Sequence, residues 1–109
     1  MAEKILARGI SACPGVVSGR AKVVLGIGDL GKIKKGDIIV LLCMFPGCAI
    51  IMDKLAGIVA ERGSLTCHTS IVSREFGIPC VVAAENATKS IKDRQRIRLD
   101  AEKGEVYEC

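Results

Sequence analysis

Short apolar runs alternate with polar or glycine-containing connections along the whole chain. These runs predict strands over 4–8, 16–25, 37–43, 57–60 and 79–83. The run 37–43 is almost continuously apolar, which is typical of a strand covered on both faces, and Gly19 is expected to make a bend or bulge in its own strand. Towards the end of the chain, 94–100 and 105–108 predict two more strands, with a tight turn at Gly104.

A helix is predicted between the strands 37–43 and 57–60. Pro46 suits its first position, because proline has no N–H group to satisfy there. The apolar residues of its buried face recur at i, i+3, i+4 and i+7, as Cys48, Ile51, Met52 and Leu55. Residues 26–31 are expected to form a turn-rich connection, and 87–91 one helical turn.

A second helix of roughly ten residues is expected to begin at Thr66, a good N-cap residue, and to end at Gly77 before Pro79. Its apolar and polar residues fall largely on different sides, with Ile71, Val72 and Phe76 on one and Thr69, Ser70, Ser73 and Arg74 elsewhere. The order of elements predicts a small α/β domain with a mixed sheet, few helices and antiparallel strands at both ends.

Length and composition limit what this chain can contain. Its 109 residues, half of them hydrophobic, suffice for a single domain over 1–109 and leave no room for a nucleotide-binding domain beside it. No apolar run reaches the roughly 18 residues of a membrane span, and residues 1–7 do not resemble a secretory signal, so we expect a cytoplasmic protein that does not enter a membrane. The six cysteines contain no CxxC pair, which favours buried free thiols, and no ligand spacing predicts a metal site.

The net charge is a modest +4, and basic residues cluster in two loose groups, 32–35 and 89–98. In the second, arginines alternate with Ile97 and Leu99, which is the pattern of a solvated sheet face. The same face could also meet an acidic partner domain or attract phosphate-bearing ligands. Nucleic-acid binding is not expected, because no aromatic residue lies within the basic groups, although it is kept as a third possibility.

His68, the only histidine, falls in the first turn of the helix predicted from Thr66. Unpaired backbone N–H groups and the positive end of the helix dipole favour an anion at such a place and would keep the imidazole neutral and nucleophilic. The hydroxyl groups of Ser64, Thr66 and Thr69 could add hydrogen-bond donors. The pattern alone leaves open that His68 is an ordinary hydrogen-bonded residue with no chemistry.

Residues 63–79, GSLTCHTSIVSREFGIP, closely resemble the phosphohistidine signature of the phosphoenolpyruvate-utilising enzymes. These include pyruvate phosphate dikinase, phosphoenolpyruvate synthase and enzyme I of the sugar phosphotransferase system. The segments 15–21, 35–40, 86–88 and 98–107 are similar to other parts of the family's mobile domain, so the resemblance covers essentially the whole chain. It implies a swivelling β/β/α phosphohistidine domain. Ser64 and Ala83 stand where the family often has a smaller residue, and Met44-Phe45 replaces more polar residues.

The resemblance implies that His68 is transiently phosphorylated and carries a phosphoryl group between nucleotide- or phosphoenolpyruvate-binding sites on partner chains. Thr66 would cap the helix, Ser64 and Thr69 would support the phosphate, and Arg74 would contact phosphate, a partner carboxylate or a nearby acid in a salt bridge. The chain itself is expected to bind no cofactor, and Mg²⁺ is expected in the partner sites. Such a phosphotransferase component needs partner subunits for a full reaction. The alternative is a non-catalytic docking or regulatory module of a larger phosphotransferase assembly.

Overall fold

The computed structural model describes residues 4–109. The expectation that residues 1–7 are not a secretory signal falls partly on 1–3, which lie outside the described residues. The strands are β1 (Ile5–Arg8), β2 (Ile10–Cys13), β3 (Val16–Val23), β4 (Asp37–Leu41), β5 (Leu55–Ala60), β6 (Cys80–Val82), β7 (Arg96–Asp100) and β8 (Glu105–Glu108). The helical elements are α1 (His68–Phe76), α2 (Ala87–Ser90) and the 3₁₀ segments Ile27–Lys32 and Pro46–Lys54. Within these residues, no helix is long and apolar enough to cross a bilayer.

The strands form one mixed sheet in the order β1-β8-β7-β3-β4-β5-β6-β2. In its centre β3, β4, β5 and β6 run parallel to one another. The strands from the two chain ends join antiparallel, with β7 and β8 on one side and β2 on the other. The predicted mixed sheet with few helices is confirmed.

Strand β4 is buried on both faces, as its apolar run predicts. Ile39 and Leu41 belong to a core shared with the two 3₁₀ segments, whereas Ile38 and Val40 belong to a core shared with β7 and β8. The sheet therefore folds over itself, because strands that are not hydrogen-bonded neighbours pack face to face. The layers are sheet on sheet on helical segments, the β/β/α arrangement that the resemblance implies.

Gly57 of β5 lies where the two sheet layers touch. A Cβ atom there would stand 2.7 Å from Leu99 Cδ2 of β7 and 3.2 Å from Val17 Cγ2. We expect Gly57→Ala to lower the free energy of unfolding by about 1–3 kcal/mol, because the layers must separate to admit the methyl group. Urea unfolding measures this loss. Gly28→Ala is the control, since no atom lies within 4 Å of its Cβ position, and an equal loss in both variants would contradict the contact.

Strand β2 is absent from the sequence-based prediction. It pairs antiparallel with β6, from Ile10 opposite Val82 to Cys13 opposite Cys80. Four residues with a serine among them carry too little alternation to signal a strand, and the pairing is made with residues far along the chain. Gly9 lets the chain cross from β1 to β2, because a Cβ atom there would be 2.3 Å from the Val82 carbonyl oxygen.

Two local predictions, for the helix after Pro46 and for Gly19 of β3, are wrong. The turn-rich connection 26–31 forms the 3₁₀ segment Ile27–Lys32, whereas Pro46–Lys54 is 3₁₀ rather than α-helical, with Leu55 already in β5. Gly47 and the consecutive residues Ile50 and Ile51 are poor α-helix formers. Cys48, Ile51 and Met52 are nevertheless buried as predicted. Gly19 makes no bulge, since β3 and β7 stay in register throughout. Its missing side chain instead admits the Gly36 carbonyl oxygen, 2.6 Å from the Cβ position.

All six cysteines are free thiols, as predicted. Cys13, Cys48 and Cys80 are buried and Cys67 is half-buried. Burial was the wrong prediction for Cys43 and Cys109, which are exposed because both lie just beyond the end of a strand.

Candidate functional site

His68 is the first residue of α1, and its side chain is exposed. The first intrahelical hydrogen bond runs from Ile71 N to the Cys67 carbonyl oxygen, so the preceding N–H groups lie outside the helical ladder. Cys67 rather than Thr66 occupies the N-cap, which makes the helix start later than predicted. The Thr66 hydroxyl lies 3.3 Å from the Ser64 hydroxyl, and both residues are exposed in the loop before His68.

The buried face of α1 consists of hydroxyl groups rather than apolar side chains. Met44 N donates to Thr69 Oγ1 at 3.0 Å, Ser70 Oγ donates to the Ser64 carbonyl at 2.6 Å, and Ser73 Oγ donates to the Ser70 carbonyl at 2.9 Å. These bonds fasten the start of α1 to the loop after β4 and to the loop before His68. Thr69 is only 2% exposed, and its contact with a phosphate stays a prediction.

The Arg74 guanidinium holds the loop before His68 from the other side. Nη2 donates to the Leu65 carbonyl at 2.7 Å, and Nη1 donates to the Ala12 carbonyl of β2 at 3.2 Å. Both terminal nitrogens therefore contact backbone oxygens, and the ion pairs found within residues 4–109 do not include Arg74. Arg74 thus ties the loop before His68 to β2, and its contact with a phosphate or a partner carboxylate stays a prediction.

The apolar face of α1 points outwards, on the same side as His68. Phe76 is 56% exposed, and Val72 is half-buried. These side chains line a depression of about 170 Å³, which we call the apolar groove. Its lining is Met44, Phe45, Cys48, Ala49, Met52, His68, Val72, Glu75 and Phe76. The site thus combines an exposed imidazole with an open apolar surface, whereas the sequence pattern only grouped the apolar residues of the helix on one side.

Two positions near the site have backbone angles that favour glycine. Gly63 has φ +134°, and a Cβ atom there would stand 2.8 Å from Cys67 Sγ, so the loop requires glycine. Ala83, which follows β6 where the resembling proteins often have glycine, has φ +56°. A left-handed alanine costs about 1–2 kcal/mol, so this departure from the family pattern is a source of strain rather than of lost chemistry.

Cys67 places a thiol group directly before His68 in the chain. Burial raises the pKa of its thiol, but the hydrogen bond with Ser70 and the N–H groups of the first turn outweigh burial and bring the pKa below its usual value. The Cys67 side chain makes no cap hydrogen bond to α1. Burial raises the pKa of Cys48, and it raises the pKa of Cys80 to about 12.

We expect iodoacetamide near neutral pH to modify Cys67 at least ~10-fold faster than Cys48 or Cys80, because the thiolate is the reacting form. Peptide mass mapping after timed quenching measures the three rates. Cys67→Ser should remove the fast modification and leave the two slow ones unchanged. Equal rates at Cys67 and Cys80 would show that the helix start does not activate this thiol.

The geometry can present one imidazole to an incoming anion at the positive end of a helix. The site lies at the carboxyl ends of the parallel strands, where β4 leads into Met44 and β5 leads into the loop before His68. Ligands of α/β sheets are commonly bound at this end. Within the described part of the chain, no group of three or more His, Cys, Asp or Glu side chains could hold a metal ion.

Comparison with known proteins assigns most of the chain to the family that the motif around His68 resembles. The family model for the mobile domain of PEP-utilising enzymes matches residues 33–104. The probable phosphoenolpyruvate synthase of Methanothermobacter thermautotrophicus is 44% identical over 106 residues, which cover 97% of this chain but only 16% of that protein. The chain therefore corresponds to one part of a much larger enzyme.

Two solved structures share the fold. Aconitase X of Thermococcus kodakaraensis in its holo-form superposes with a TM-score of 0.70 at 19% identity, covering 94% of this chain and 97% of that one. An Enzyme I structure superposes with a TM-score of 0.60 at 24% identity, covering 71% of this chain and 32% of that one. Identities this low show only a shared fold. The family match and the 44% identical synthase show that the chain is related to that family by sequence. The chain belongs to the mobile-domain family of the PEP-utilising enzymes.

Proposed function

We propose that this chain is a phosphoryl carrier in which His68 is the transiently phosphorylated residue. A neutral imidazole nitrogen attacks the phosphorus of a donor, the nitrogen–phosphorus bond forms, and the bond between phosphorus and the donor's leaving oxygen breaks. The imidazole N–H proton passes to solvent. In the second half-reaction an acceptor oxygen attacks the same phosphorus and the nitrogen–phosphorus bond breaks. The imidazole takes up a proton, which regenerates the histidine.

The observation that carries this proposal is the position of His68 as the exposed first residue of α1. A phosphoryl group there would lie at the helix end where negative charge is favoured. The hydroxyl bonds beneath α1 and the Arg74 bonds to the loop hold that end in place without occupying the imidazole. Ser64 and Thr66, both exposed beside it, are proposed to donate to the phosphate oxygens.

Donor and acceptor sites are proposed to lie on partner domains or subunits. The relative's name assigns phosphoenolpyruvate synthesis to a far longer protein, and a carrier needs a nucleotide- or phosphoenolpyruvate-binding site to be loaded and discharged. Mg²⁺ would enter with the donor in that partner site and neutralise phosphate charge. The apolar groove beside His68 supports such docking, because closure over it would exclude water from the transfer.

The test is intact-mass measurement after the chain is incubated with Mg²⁺, either ATP or phosphoenolpyruvate, and an extract of the cells that produce it. Alkaline handling is needed, because phosphohistidine is lost in acid. One added phosphate that is acid-labile and maps to a peptide containing His68 is the expected result. If neither donor adds phosphate under these conditions, the carrier proposal fails and the docking-module alternative replaces it.

A further inference from the structure

The structure brings the basic group 32–35 together with Arg20 and with two arginines of the group 89–98 at the end of the sheet away from His68. We call this the basic face and define it by Arg20, Lys32, Lys34, Lys35, Arg94 and Arg96. These side chains line two adjoining depressions of about 90 and 380 Å³, which share Arg20, Lys34 and Asp37. Asp37 begins β4, whereas His68 follows the carboxyl end of β5. The basic face therefore lies roughly 15 Å from that end, the length of five strand residues.

The charge of the basic face is poorly balanced by carboxylates. The six cations of the face carry more positive charge than the net +4 of the whole chain, so the rest of the chain carries a net negative charge. Asp37 is 7% exposed, and its Oδ2 accepts from Lys34 N. Among the described residues the only ion pair made by a member of the face is Lys32 with Asp29, at a long 4.0 Å. Like charges held this close repel one another unless an anion lies between them.

The backbone fixes the face rather than leaving it to flexible side chains. Arg94 has φ +70°, an unfavourable angle for arginine, and its N–H donates to the Ala21 carbonyl at 2.7 Å. Gly36, with φ +92°, donates to the Lys54 carbonyl at 2.8 Å and lies against Gly19. Gly19 and Gly36 lie close together and line the larger depression between the cations. A strained arginine held in place suggests that its guanidinium is needed there.

Lys22 supports the face from below. It is only 6% exposed and pairs with Asp93 at 2.8 Å, while Val23 N donates to the second Asp93 oxygen at 2.9 Å. Asp93 is the residue before Arg94, so this pair of a buried lysine with an exposed carboxylate anchors the turn that carries Arg94. Burial raises the pKa of Asp93, but the bonds from Lys22 and Val23 outweigh burial and lower it, which keeps the carboxylate charged.

We propose that the basic face binds a small anion carrying two or more linked phosphate groups, separately from the phosphoryl group on His68. Lysine and arginine are the residues that bind phosphate, and the two adjoining depressions suit an extended phosphate chain better than a single ion. No aromatic residue lines either depression, so the face recognises phosphates and not a nucleobase. The inference does not depend on the carrier proposal, since it uses none of the residues around His68.

The test follows amide chemical shifts of the ¹⁵N-labelled chain during titration with tripolyphosphate at near-physiological salt. We expect saturable changes confined to the residues of the basic face, and weaker binding of orthophosphate. Arg20→Gln combined with Arg94→Gly should weaken tripolyphosphate binding at least ~10-fold, because two charged contacts are lost. Glycine suits φ +70° at position 94, so this variant should remain folded, which its own spectrum checks.

Lys89→Gln combined with Lys103→Gln is the matched control, since it removes the same charge from exposed positions away from the face. Binding within ~2-fold of the unaltered chain is expected for it, because distant charges are screened. Equal weakening in both double variants, or shifts that never saturate, would overturn the proposal. Binding to vesicles of an anionic phospholipid, or to RNA, without binding to tripolyphosphate would also overturn it in favour of a macromolecular surface.

Discussion

Replacement of His68 by alanine is expected to abolish acid-labile phosphorylation, with the rate falling by ~10³-fold or more. Removal of the only imidazole leaves no other group that can form a phosphohistidine, and losses of this size or larger are typical when a nucleophile is removed. Ser64 and Thr66 lie nearby, but hydroxyl groups would give an acid-stable ester. The measurement is intact mass against time with the partner and donor that phosphorylate the unaltered chain.

The control for His68→Ala is its stability, which should be nearly unchanged. The side chain is exposed at the first position of α1, and alanine is a good helix former, so we expect a change within about 0.5 kcal/mol in the free energy of unfolding. His68 is the only histidine, so the loss of imidazole NMR signals verifies the variant directly. Acid-labile phosphate that persists at the same rate in the variant would exclude His68 as the carrier.

The central strands were predictable because their patterns are unambiguous. An almost continuous apolar run such as 37–43 is buried only when other elements pack on both faces of the strand, and both faces of β4 are packed in this way. Gly77 ends α1 with φ +66°, as its position before Ile78-Pro79 predicts. Strand β2 was missed because it is short and its partner lies about seventy residues away along the chain, with Ile10 opposite Val82. Such pairing is set by the tertiary fold and not by local pattern.

The candidate site was predictable in position but not in construction. The motif around His68 places the histidine at the start of a helix, and α1 begins there. Which face of α1 is buried was not predictable from the rule that apolar residues face inwards. Thr69, Ser70 and Ser73 are buried, whereas Phe76 is exposed. Their hydrogen bonds make this reversal possible, since a buried hydroxyl is tolerated when it is bonded. Departures from local rules are expected where function needs a surface, and docking at the apolar groove is proposed to be such a function.

Replacement of Arg74 by methionine is expected to slow phosphorylation of His68 by ~10²-fold without touching the phosphoryl group. The variant keeps the length of the side chain but loses the donors to Leu65 and Ala12, so the loop before His68 is no longer tied to β2. Misplacement of a reacting group by about 1 Å can cost a factor of this size. Arg74→Lys should recover part of the rate, because one donor can still reach a carbonyl.

Hydrogen exchange distinguishes positioning from phosphate contact. In the unphosphorylated chain, Arg74→Met should speed exchange of the amides at 64–68, because their loop loses two tethers. Arg62→Met removes the same charge from an exposed position in the same connection and should leave that exchange unchanged. If Arg74 instead contacted the phosphate, exchange in the free chain would stay at the unaltered rate and the lifetime of phosphohistidine would change. Faster exchange with an unaltered phosphohistidine lifetime is therefore the result that assigns Arg74 to the loop.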